Sequence, residues 1–340
     1  MSLSSTPVIS VRDLRKVYRV SEHKRGLLGA ARNLFSAATR EVRAVDGVSF
    51  EIDEGAFVGY IGPNGAGKST TIKMLTGILV PSSGEVLVNG LVPHKSRKQN
   101  AKSIGLVFGQ RTQLWWDLPP IEAFSLLGRM YGLSKAEREQ GVGELSEILG
   151  LADFIDTPVR KLSLGQKMRC ELAAALLHKP RVLFLDEPSI GLDVVAKADV
   201  QALLKRINEE RRTTILLTSH DLDDIQTLCE RVIVIDHGKV MHDGDLASLR
   251  NRFGDKRRLT VDLGAAVDAL DLPTGASTRE LRGSRAVIDL DASQITVPKL
   301  MQHLFERYDV HDVSVEEADI EDVVRALYKS GSATNIPASD

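Results

Sequence analysis

The sequence predicts an α/β fold built on an open, mostly parallel sheet, followed by a small C-terminal α+β domain. Over the first 250 residues, short apolar runs alternate with segments of helical periodicity, as they do where helices connect parallel strands. The run Val182–Leu185 is apolar at every position, which is typical of a strand covered on both faces. Near residues 249–258 a charged stretch favours a linker. We therefore expect a first domain at 1–250, a second at 256–330 and a tail at 331–340.

The elements of the first domain follow from the spacing of its apolar residues. Apolar or alternating runs predict strands at 8–11, 48–52, 57–61, 84–90, 104–108, 181–187, 213–219 and 231–236. Helical periodicity predicts helices after residue 70, between about 120 and 157, at 162–178, at 194–211 and up to residue 229. The part at about 111–165 is expected to form a helical subdomain beside the sheet.

Composition excludes several classes of protein. The chain has 340 residues, 43% of them hydrophobic and 26% charged, as in ordinary globular proteins, and its net charge of −2 gives no overall attraction for nucleic acid. Cys170 and Cys229 are too few for a disulfide framework and are expected to be reduced core residues. No apolar run reaches the roughly 18 residues needed to span a bilayer, and Met1–Pro7 does not resemble a signal peptide. Any link to a membrane is therefore expected to pass through a partner or a surface helix.

The stretch Gly62–Thr70 reads GPNGAGKST and fits the phosphate-binding pattern G-x-x-x-x-G-K-[ST]. Its glycines allow a tight loop whose N–H groups face phosphate oxygens, and the following helix places the anion at its N-terminus. Lys68 would reach the β- and γ-phosphates, and the Ser69 hydroxyl would hold Mg²⁺. We therefore expect a nucleoside triphosphate with Mg²⁺ to bind at Gly62, Pro63, Asn64, Gly65, Ala66, Gly67, Lys68, Ser69 and Thr70.

An insert at about 21–43 separates the first two strands. Apolar residues recur in it at helical spacing, and Arg25, Arg32 and Arg40 fall elsewhere on the wheel. A basic amphipathic helix of this kind either lies on a membrane surface or a partner, or covers its own domain. Both interpretations stay open at this point.

The C-terminal domain is predicted to contain strands at 259–263, 278–281, 286–290 and 310–315 and helices at 297–308 and 320–328. It carries no pattern of catalytic residues. Its expected role is therefore interaction or dimerisation.

Several patterns accompany the phosphate-binding loop. They are Gln110 after a strand, Leu162–Gln166 (LSLGQ) at a helix start, Asp186 and Glu187 after the apolar strand, Ser189–Asp193 before the next helix, and His220 after another strand. In this order over residues 8–250, these motifs resemble those of the ATP-binding subunit of an ABC transporter, with Gly62–Ser69 as Walker A and Val182–Asp186 as Walker B. The resemblance implies an ATPase domain of the P-loop NTPase type with a helical subdomain.

The same resemblance implies roles for the residues at the strand ends. Asp186 would hold Mg²⁺ together with Ser69, and Glu187 would act as general base on the attacking water. Gln110 would touch both Mg²⁺ and that water, and His220 would contact the γ-phosphate.

In the resembled family, the signature segment of one subunit completes the ATP site of the other. Ser163, Gly165 and Gln166 match this signature, whereas Leu164 departs from the usual LSGGQ, and a side chain there disfavours a positive φ. Asp193 would cross the interface between subunits, and Tyr18 would stack on adenine, further upstream than usual because of the insert. The implied active unit is a head-to-tail dimer with a second ATPase subunit, either identical or different, and two ATP molecules.

The run Phe108–Pro119, the segment Glu187–Asp193 and the C-terminal extension look like ATPases that pair with ABC-2-type permeases, which are mostly exporters. This resemblance implies a peripheral protein on the cytoplasmic face of the inner membrane, held there by its permease, and it leaves the cargo open.

Trp115 and Trp116 are adjacent after a strand, and we expect one in the core and one in a docking groove.

Two alternatives belong to other functional classes. A soluble ABC ATPase acting on ribosomes or nucleic acid is disfavoured, because the chain has one cassette and no sustained heptad pattern. An ATP-gated binding module without hydrolysis is disfavoured by the presence of Glu187 and His220 and favoured by Leu164.

Overall fold

The computed structural model describes residues 6–21, 39–109, 111–219, 221–252 and 256–317, together with Val324 and Leu327. The chain divides into two compact units, Met1–Asp243 and Gly244–Asp340. Among the residues described, no helix combines the length and the apolar character that crossing a membrane requires.

Unit 1 contains two sheets. Its strands are β1 (Ile9–Ser21), β2 (Thr39–Ile52), β3 (Phe57–Ile61), β4 (Ser83–Val88), β5 (Ile104–Phe108), β6 (Val182–Asp186), β7 (Thr214–Thr218), β8 (Arg231–Asp236) and β9 (Lys239–Asp245). A six-stranded sheet has the order β5-β6-β7-β3-β8-β9, and its pairs β5–β6, β6–β7, β7–β3 and β3–β8 are parallel. A three-stranded antiparallel sheet has the order β2-β1-β4.

Helices connect and cover these strands. They are α1 (Lys68–Leu75), α2 (Arg97–Ser103), α3 (Pro120–Tyr131), α4 (Lys135–Leu149), α5 (Leu164–Leu176), α6 (Val194–Arg211) and α7 (Leu222–Leu228). The parallel strands alternate with helices, so the predicted α/β fold is confirmed. Strand β6 is buried from Val182 to Leu185, as its uniformly apolar sequence predicts.

One hydrophobic core joins the two sheets of unit 1. Ile9 and Phe50 from the three-stranded sheet pack with Tyr60 and Phe184 from the six-stranded sheet, and the Phe50 and Tyr60 ring centroids are 5.7 Å apart. Burial of such large side chains stabilises a fold by about 1.5–3 kcal/mol each. This core fixes β3, and therefore the loop that follows it, between β7 and β8.

Strands β1 and β2 extend into both ends of the insert predicted at about 21–43. Ser21 belongs to β1, and Thr39 to Arg43 belong to β2, where Ser21 pairs with Thr39 and Val20 with Arg40. Arg40 is therefore a strand residue, because antiparallel pairing with β1 continues past the predicted boundary. Residues 22–38, which hold the rest of the predicted amphipathic helix, lie outside the described part of the chain.

Unit 2 contains α8 (Leu246–Arg252), β10 (Lys256–Leu263), β11 (Ala276–Arg282), β12 (Arg285–Asp291), α9 (Val297–Arg307) and β13 (Val310–Glu317). Its antiparallel sheet has the order β11-β12-β10-β13, and Leu300 and Leu304 of α9 pack in its core. The linker predicted near residues 249–258 is wrong at both ends. Residues 249–252 belong to α8, and residues 256–258 begin β10, because they pair with β12 and Arg258 forms an ion pair with Asp289. The predicted last helix lies largely outside the described residues, apart from the buried Val324 and Leu327.

Candidate active site

The phosphate-binding loop bends at Gly67, the residue that precedes α1. Gly67 has φ +107°, and a Cβ atom there would lie 2.3 Å from the backbone oxygen of Ala44. Only glycine fits this combination of left-handed backbone and close approach. No side chain caps this end of α1, so an incoming anion would meet the positive end of the helix dipole. The predicted residues therefore form a loop between β3 and α1, from Gly62 to Gly67, and the first turn of α1, from Lys68 to Thr70.

Lys68 is the first residue of α1 and is buried, with 7% of its surface exposed. Its Nζ donates to the backbone oxygens of Gly62 at 2.5 Å and Pro63 at 3.2 Å. Burial lowers the pKa of Lys68, while the nearby Glu187 and Asp186 oppose that shift. The ammonium is therefore desolvated and held by weak acceptors, a state that a bound phosphate would stabilise.

Asp186 ends β6 and faces the loop across the sheet edge. The Ser69 hydroxyl lies 3.4 Å from Asp186 Oδ2, and the Thr218 hydroxyl donates to Asp186 Oδ1 at 2.6 Å. A carboxylate and a hydroxyl at this separation are the hard oxygen donors that Mg²⁺ prefers, so the pair fits that ion. Parallel pairing produces the arrangement, because Asp186 is in register with Thr218 on β7 and Phe108 on β5.

Glu187 follows Asp186 with a strained backbone. Its φ is +56°, a left-handed value that costs a residue with a side chain about 1–2 kcal/mol. Its N–H donates to the Thr218 oxygen at 3.0 Å, and a Cβ at Gly109 would lie 1.9 Å from its carbonyl oxygen. The neighbours β5 and β7 thus hold Glu187 in this conformation. Strain of this kind is concentrated at functional sites.

A cavity of about 640 Å³ opens over these residues. Asn64 and Ser69 of the loop and Asp186 and Glu187 of the strand end line it. Lys73 and Arg111 add two cationic side chains to the lining of the cavity. Their positive charge is suited to binding a polyanion such as a triphosphate. The predicted residues Gln110 and His220 lie outside the described part of the chain, although their neighbours Gly109 and Arg111 line this cavity.

The signature segment forms the start of α5. Ser163 is the N-cap: its hydroxyl accepts from the Gln166 N–H at 3.2 Å, and the Gln166 side chain accepts from the Ser163 N–H at 2.9 Å. Leu164 is the first helical residue and does not have a positive φ. The expectation that its side chain would conflict with a positive φ is therefore wrong. Ser163, Gly165 and Gln166 are not among the described residues that line the cavity at the phosphate-binding loop.

The residues beside the signature segment are apolar and exposed. Leu164 is 45% exposed, and Val194 and Val195 at the start of α6 are 84% and 72% exposed. A Cβ at Gly191 would lie 3.2 Å from Leu164 Cδ2, so Leu164 lies against the segment that leads to α6. Asp193 caps α6, and its side chain accepts from the Ala196 N–H at 2.9 Å.

Tyr18 lies on β1, paired with Val42 on β2, and its side chain is 38% exposed. Val42 is two residues from Ala44, whose carbonyl oxygen borders Gly67 in the phosphate-binding loop. The step from Val42 to Ala44 spans roughly 6.6 Å along the strand. Tyr18, which pairs with Val42, therefore lies near the phosphate-binding loop. The Lys16 ammonium lies 5.4 Å from the centroid of the Tyr18 ring.

Sequence reasoning missed Thr218 and Gly109. Thr218 is fully buried and fixes Asp186, and Gly109 allows the close approach to Glu187. Their signals are modest: a hydroxyl at the end of an otherwise apolar strand, and a glycine directly after another strand. Both become visible only when the order of the strands is known.

Comparison with known proteins gives concordant results. The ABC transporter family model matches residues 45–190. Over 274 residues, the chain is 32% identical to the daunorubicin/doxorubicin resistance ATP-binding protein DrrA of Streptomyces peucetius, covering 75% of this chain and 82% of DrrA. It is 37% identical over 217 residues to the methionine import ATP-binding protein MetN of Geobacillus kaustophilus, covering 63% of each chain.

A solved structure also matches this chain. It is the dimeric post-hydrolysis state of the ATP-binding cassette MJ0796 bound to ADP and Pi, with a TM-score of 0.57 and 28% identity, and it covers 70% of this chain and 98% of that one. The chain therefore belongs to the ATP-binding proteins of ABC transporters, a family of ATPases.

Proposed function

We propose that this chain hydrolyses MgATP to drive an exporter whose membrane component is a separate ABC-2-type permease. One observation carries the hydrolytic part of the proposal: Lys68, Ser69, Asp186 and Glu187 meet at one sheet edge beneath a cavity. Phosphoryl transfer needs this combination of a phosphate cradle, a metal-binding carboxylate and a second carboxylate that orients water.

Each residue has a distinct role in the proposed reaction. The loop N–H groups and Lys68 bind the β- and γ-phosphates, while Ser69 and Asp186 hold Mg²⁺. The bound ion would neutralise charge on the phosphates. Glu187 accepts a proton from the attacking water, and Gln110 and His220 orient that water and the γ-phosphate. Thr218 keeps the Asp186 carboxylate aimed at the loop.

The proposed active form is a head-to-tail dimer of ATPase subunits. Ser163 and Gln166 cap the helix that contains Gly165. The exposed side chains of Leu164, Val194 and Val195 lie next to this helix start and are suited to burial against a second subunit. In that dimer, Ser163 and Gly165 contact the γ-phosphate bound by the partner, and Asp193 lies at the interface. The dimeric structure of MJ0796 with ADP and Pi supports this arrangement. Tyr18 stacks on the adenine of the ATP that its own loop binds.

The proposed direction of transport rests on the names of the relatives. DrrA, which is named for drug resistance, matches 75% of this chain, and the import protein MetN matches 63%. The longer match to a protein named for drug resistance supports export over import.

The proposed permease contact lies in the helical subdomain. Trp115 and Trp116 are 42% and 55% exposed, so the expectation that one packs in the core is wrong. Both fall in a turn whose backbone is fixed by the Arg160 N–H, which donates to the Trp116 oxygen at 3.0 Å. Leu126 and Met130, one turn apart on α3, are 42% and 72% exposed. Exposed aromatic and Met side chains are typical of protein interfaces. Binding to the permease would hold the chain peripherally at the cytoplasmic face of the inner membrane.

Two measurements test this function. The purified chain should hydrolyse ATP only with Mg²⁺, and the tagged chain from gently solubilised membranes should co-purify with a polytopic permease. Replacing Trp116 by Ala should reduce co-purification while hydrolysis by the isolated chain persists. Recovery of ribosomal proteins or nucleic acid in place of a permease would support the soluble ABC ATPase instead.

A further inference from the structure

We propose that Glu171 is a positioning residue that fixes the segment Thr112–Leu114 to the signature helix α5, so that movement of α5 is transmitted to Arg111 in the lining of the cavity. The inference rests on the proposed function, because it assigns a consequence to contact between Ser163 and the partner subunit's nucleotide. It identifies Glu171 and Thr112 as the link between the two halves of a composite site.

Glu171 is a buried carboxylate without a cationic partner in the described part of the chain. It is 5% exposed, and burial raises its pKa although several hydrogen bonds oppose that shift. The Thr112 hydroxyl donates to Glu171 Oε1, and the Gln113 N–H reaches Oε1 at 3.2 Å and Oε2 at 3.3 Å. Buried carboxyl groups are retained only where such partners satisfy them.

The loop is fixed by more than this carboxylate. The Gln113 side-chain amide donates to the backbone oxygen of Glu171 at 3.2 Å, and the Leu114 N–H donates to the Thr112 hydroxyl at 3.0 Å. Leu114 itself is buried. Thr112 and Gln113 are therefore attached to one residue of α5, and Leu114 is attached to Thr112. The loop cannot shift relative to α5 without leaving a buried carboxyl group unsatisfied.

The linked residues lie close along the chain to two predicted parts of the ATP site. Thr112 is two residues after Gln110, and Glu171 is eight residues after Ser163, or roughly 12 Å along one helix. A capped helix of this length moves as a rigid element. Contact of Ser163 with the partner's nucleotide would thus displace the loop Arg111–Leu114, which borders the cavity at Arg111.

The two tryptophans report on this loop. Trp115 and Trp116 follow Leu114 directly, both are exposed, and they are the only tryptophans in the chain. The Lys167 ammonium of α5 lies 4.6 Å from the Trp116 ring centroid, so a displacement between loop and helix changes the environment of that ring. Intrinsic tryptophan fluorescence therefore reports the position of the loop relative to α5, independently of the overall stability of the fold.

The test uses the full chain carrying Glu187→Gln, in which bound ATP persists. MgATP is added while dimer formation is followed by light scattering and loop position by tryptophan fluorescence. We expect a fluorescence change that accompanies dimerisation, that disappears when Ser163→Ala or Thr112→Val is added, and that survives Thr112→Ser. Thr112→Val preserves the shape of the side chain and removes its hydroxyl, whereas Thr112→Ser retains the hydroxyl.

Steady-state hydrolysis with Glu187 intact supplies the second readout. Thr112→Val should lower kcat at least about tenfold with KM for ATP within about twofold, because the link affects the assembled site and not nucleotide capture. Thr112→Ser should remain near the wild-type rate. Unchanged kcat in Thr112→Val, equal losses in both variants, or ATP-driven dimerisation without a fluorescence change would overturn the inference. Failure of the Glu187→Gln chain to dimerise with ATP would instead overturn the proposed function on which it rests.

Discussion

The phosphate-binding loop and the signature segment both place a glycine at the start of a helix, but their surroundings differ. The N-terminus of α1 is left without a side-chain cap, carries Lys68 and Ser69, and lies close to Asp186 and Glu187 of the same chain. The N-terminus of α5 is closed by a capping box of Ser163 and Gln166 and borders exposed apolar side chains. In the proposed function, the first region collects the groups that bind and hydrolyse ATP, whereas the second presents a preformed surface to the partner subunit. The difference teaches that the described chain brings one set of predicted site residues together around a cavity and leaves the signature residues outside it.

The largest expected effect comes from the first region. Glu187→Gln removes the proposed general base while preserving the shape of the side chain, so hydrolysis should fall by roughly 10²–10⁴-fold. ATP binding should persist, and an ATP-bound dimer should accumulate in size-exclusion chromatography. Turnover close to that of the wild type would remove Glu187 from the mechanism.

Lys68→Ala should weaken ATP binding by about tenfold to a hundredfold, because a charge-assisted hydrogen bond to phosphate is lost. Equilibrium titration with a fluorescent ATP analogue measures this. Lys205→Ala, on the exposed face of α6, is the matched control and should bind like the wild type. Equal affinities for the three proteins would contradict the assigned role of the loop.

The second region should respond differently, and the chain supplies its own control. Ser134 closes α4 with Glu137 in a capping box like that of Ser163 and Gln166. Ser163→Ala and Ser134→Ala should each lower the free energy of unfolding by about 1 kcal/mol. Only Ser163→Ala should also lower hydrolysis, by about tenfold or more, while the Kd of the monomer for ATP is unchanged. Equal hydrolysis by the two variants would show that Ser163 is only a helix cap.

The smallest expected effect concerns pH. Burial raises the pKa of Glu171 above its ordinary value of 4.5, so the folded chain binds more protons than the unfolded chain between that value and the raised one. The free energy of unfolding should therefore fall as pH rises through this window, and Glu171→Gln should remove that part of the slope. Chemical denaturation at a series of pH values measures both slopes, and identical slopes would contradict the assignment.

The sequence was informative where chemistry requires consecutive residues. Gly62–Thr70 and Val182–Glu187 are local patterns, and the structure places Ser69, Asp186 and Glu187 around one cavity. Thr218, Gly109 and Glu171 were not predicted, because their partners come from other strands or helices. Contacts of that kind depend on strand order and helix packing, which a single sequence does not encode as a local pattern.

Element boundaries failed for a related reason. The charged run 256–258 resembles a linker in isolation, yet it forms the start of β10 because β12 supplies its pairing partners. The conflict anticipated at Leu164 does not arise, because the capping box of Ser163 makes Leu164 the first helical residue. In both places tertiary and capping interactions outweighed the preference of the single residue.

The central claim, a site shared between two subunits, is tested most directly by mixing two impaired variants. Glu187→Gln and Ser163→Ala chains are each purified, mixed in equal amounts and assayed for ATP hydrolysis. In a head-to-tail dimer of the two, one site carries both substitutions and the other carries neither, so the mixture should recover roughly a quarter of wild-type activity. Activity that stays at the mean of the two separate variants would contradict the shared site and indicate that each chain hydrolyses ATP alone.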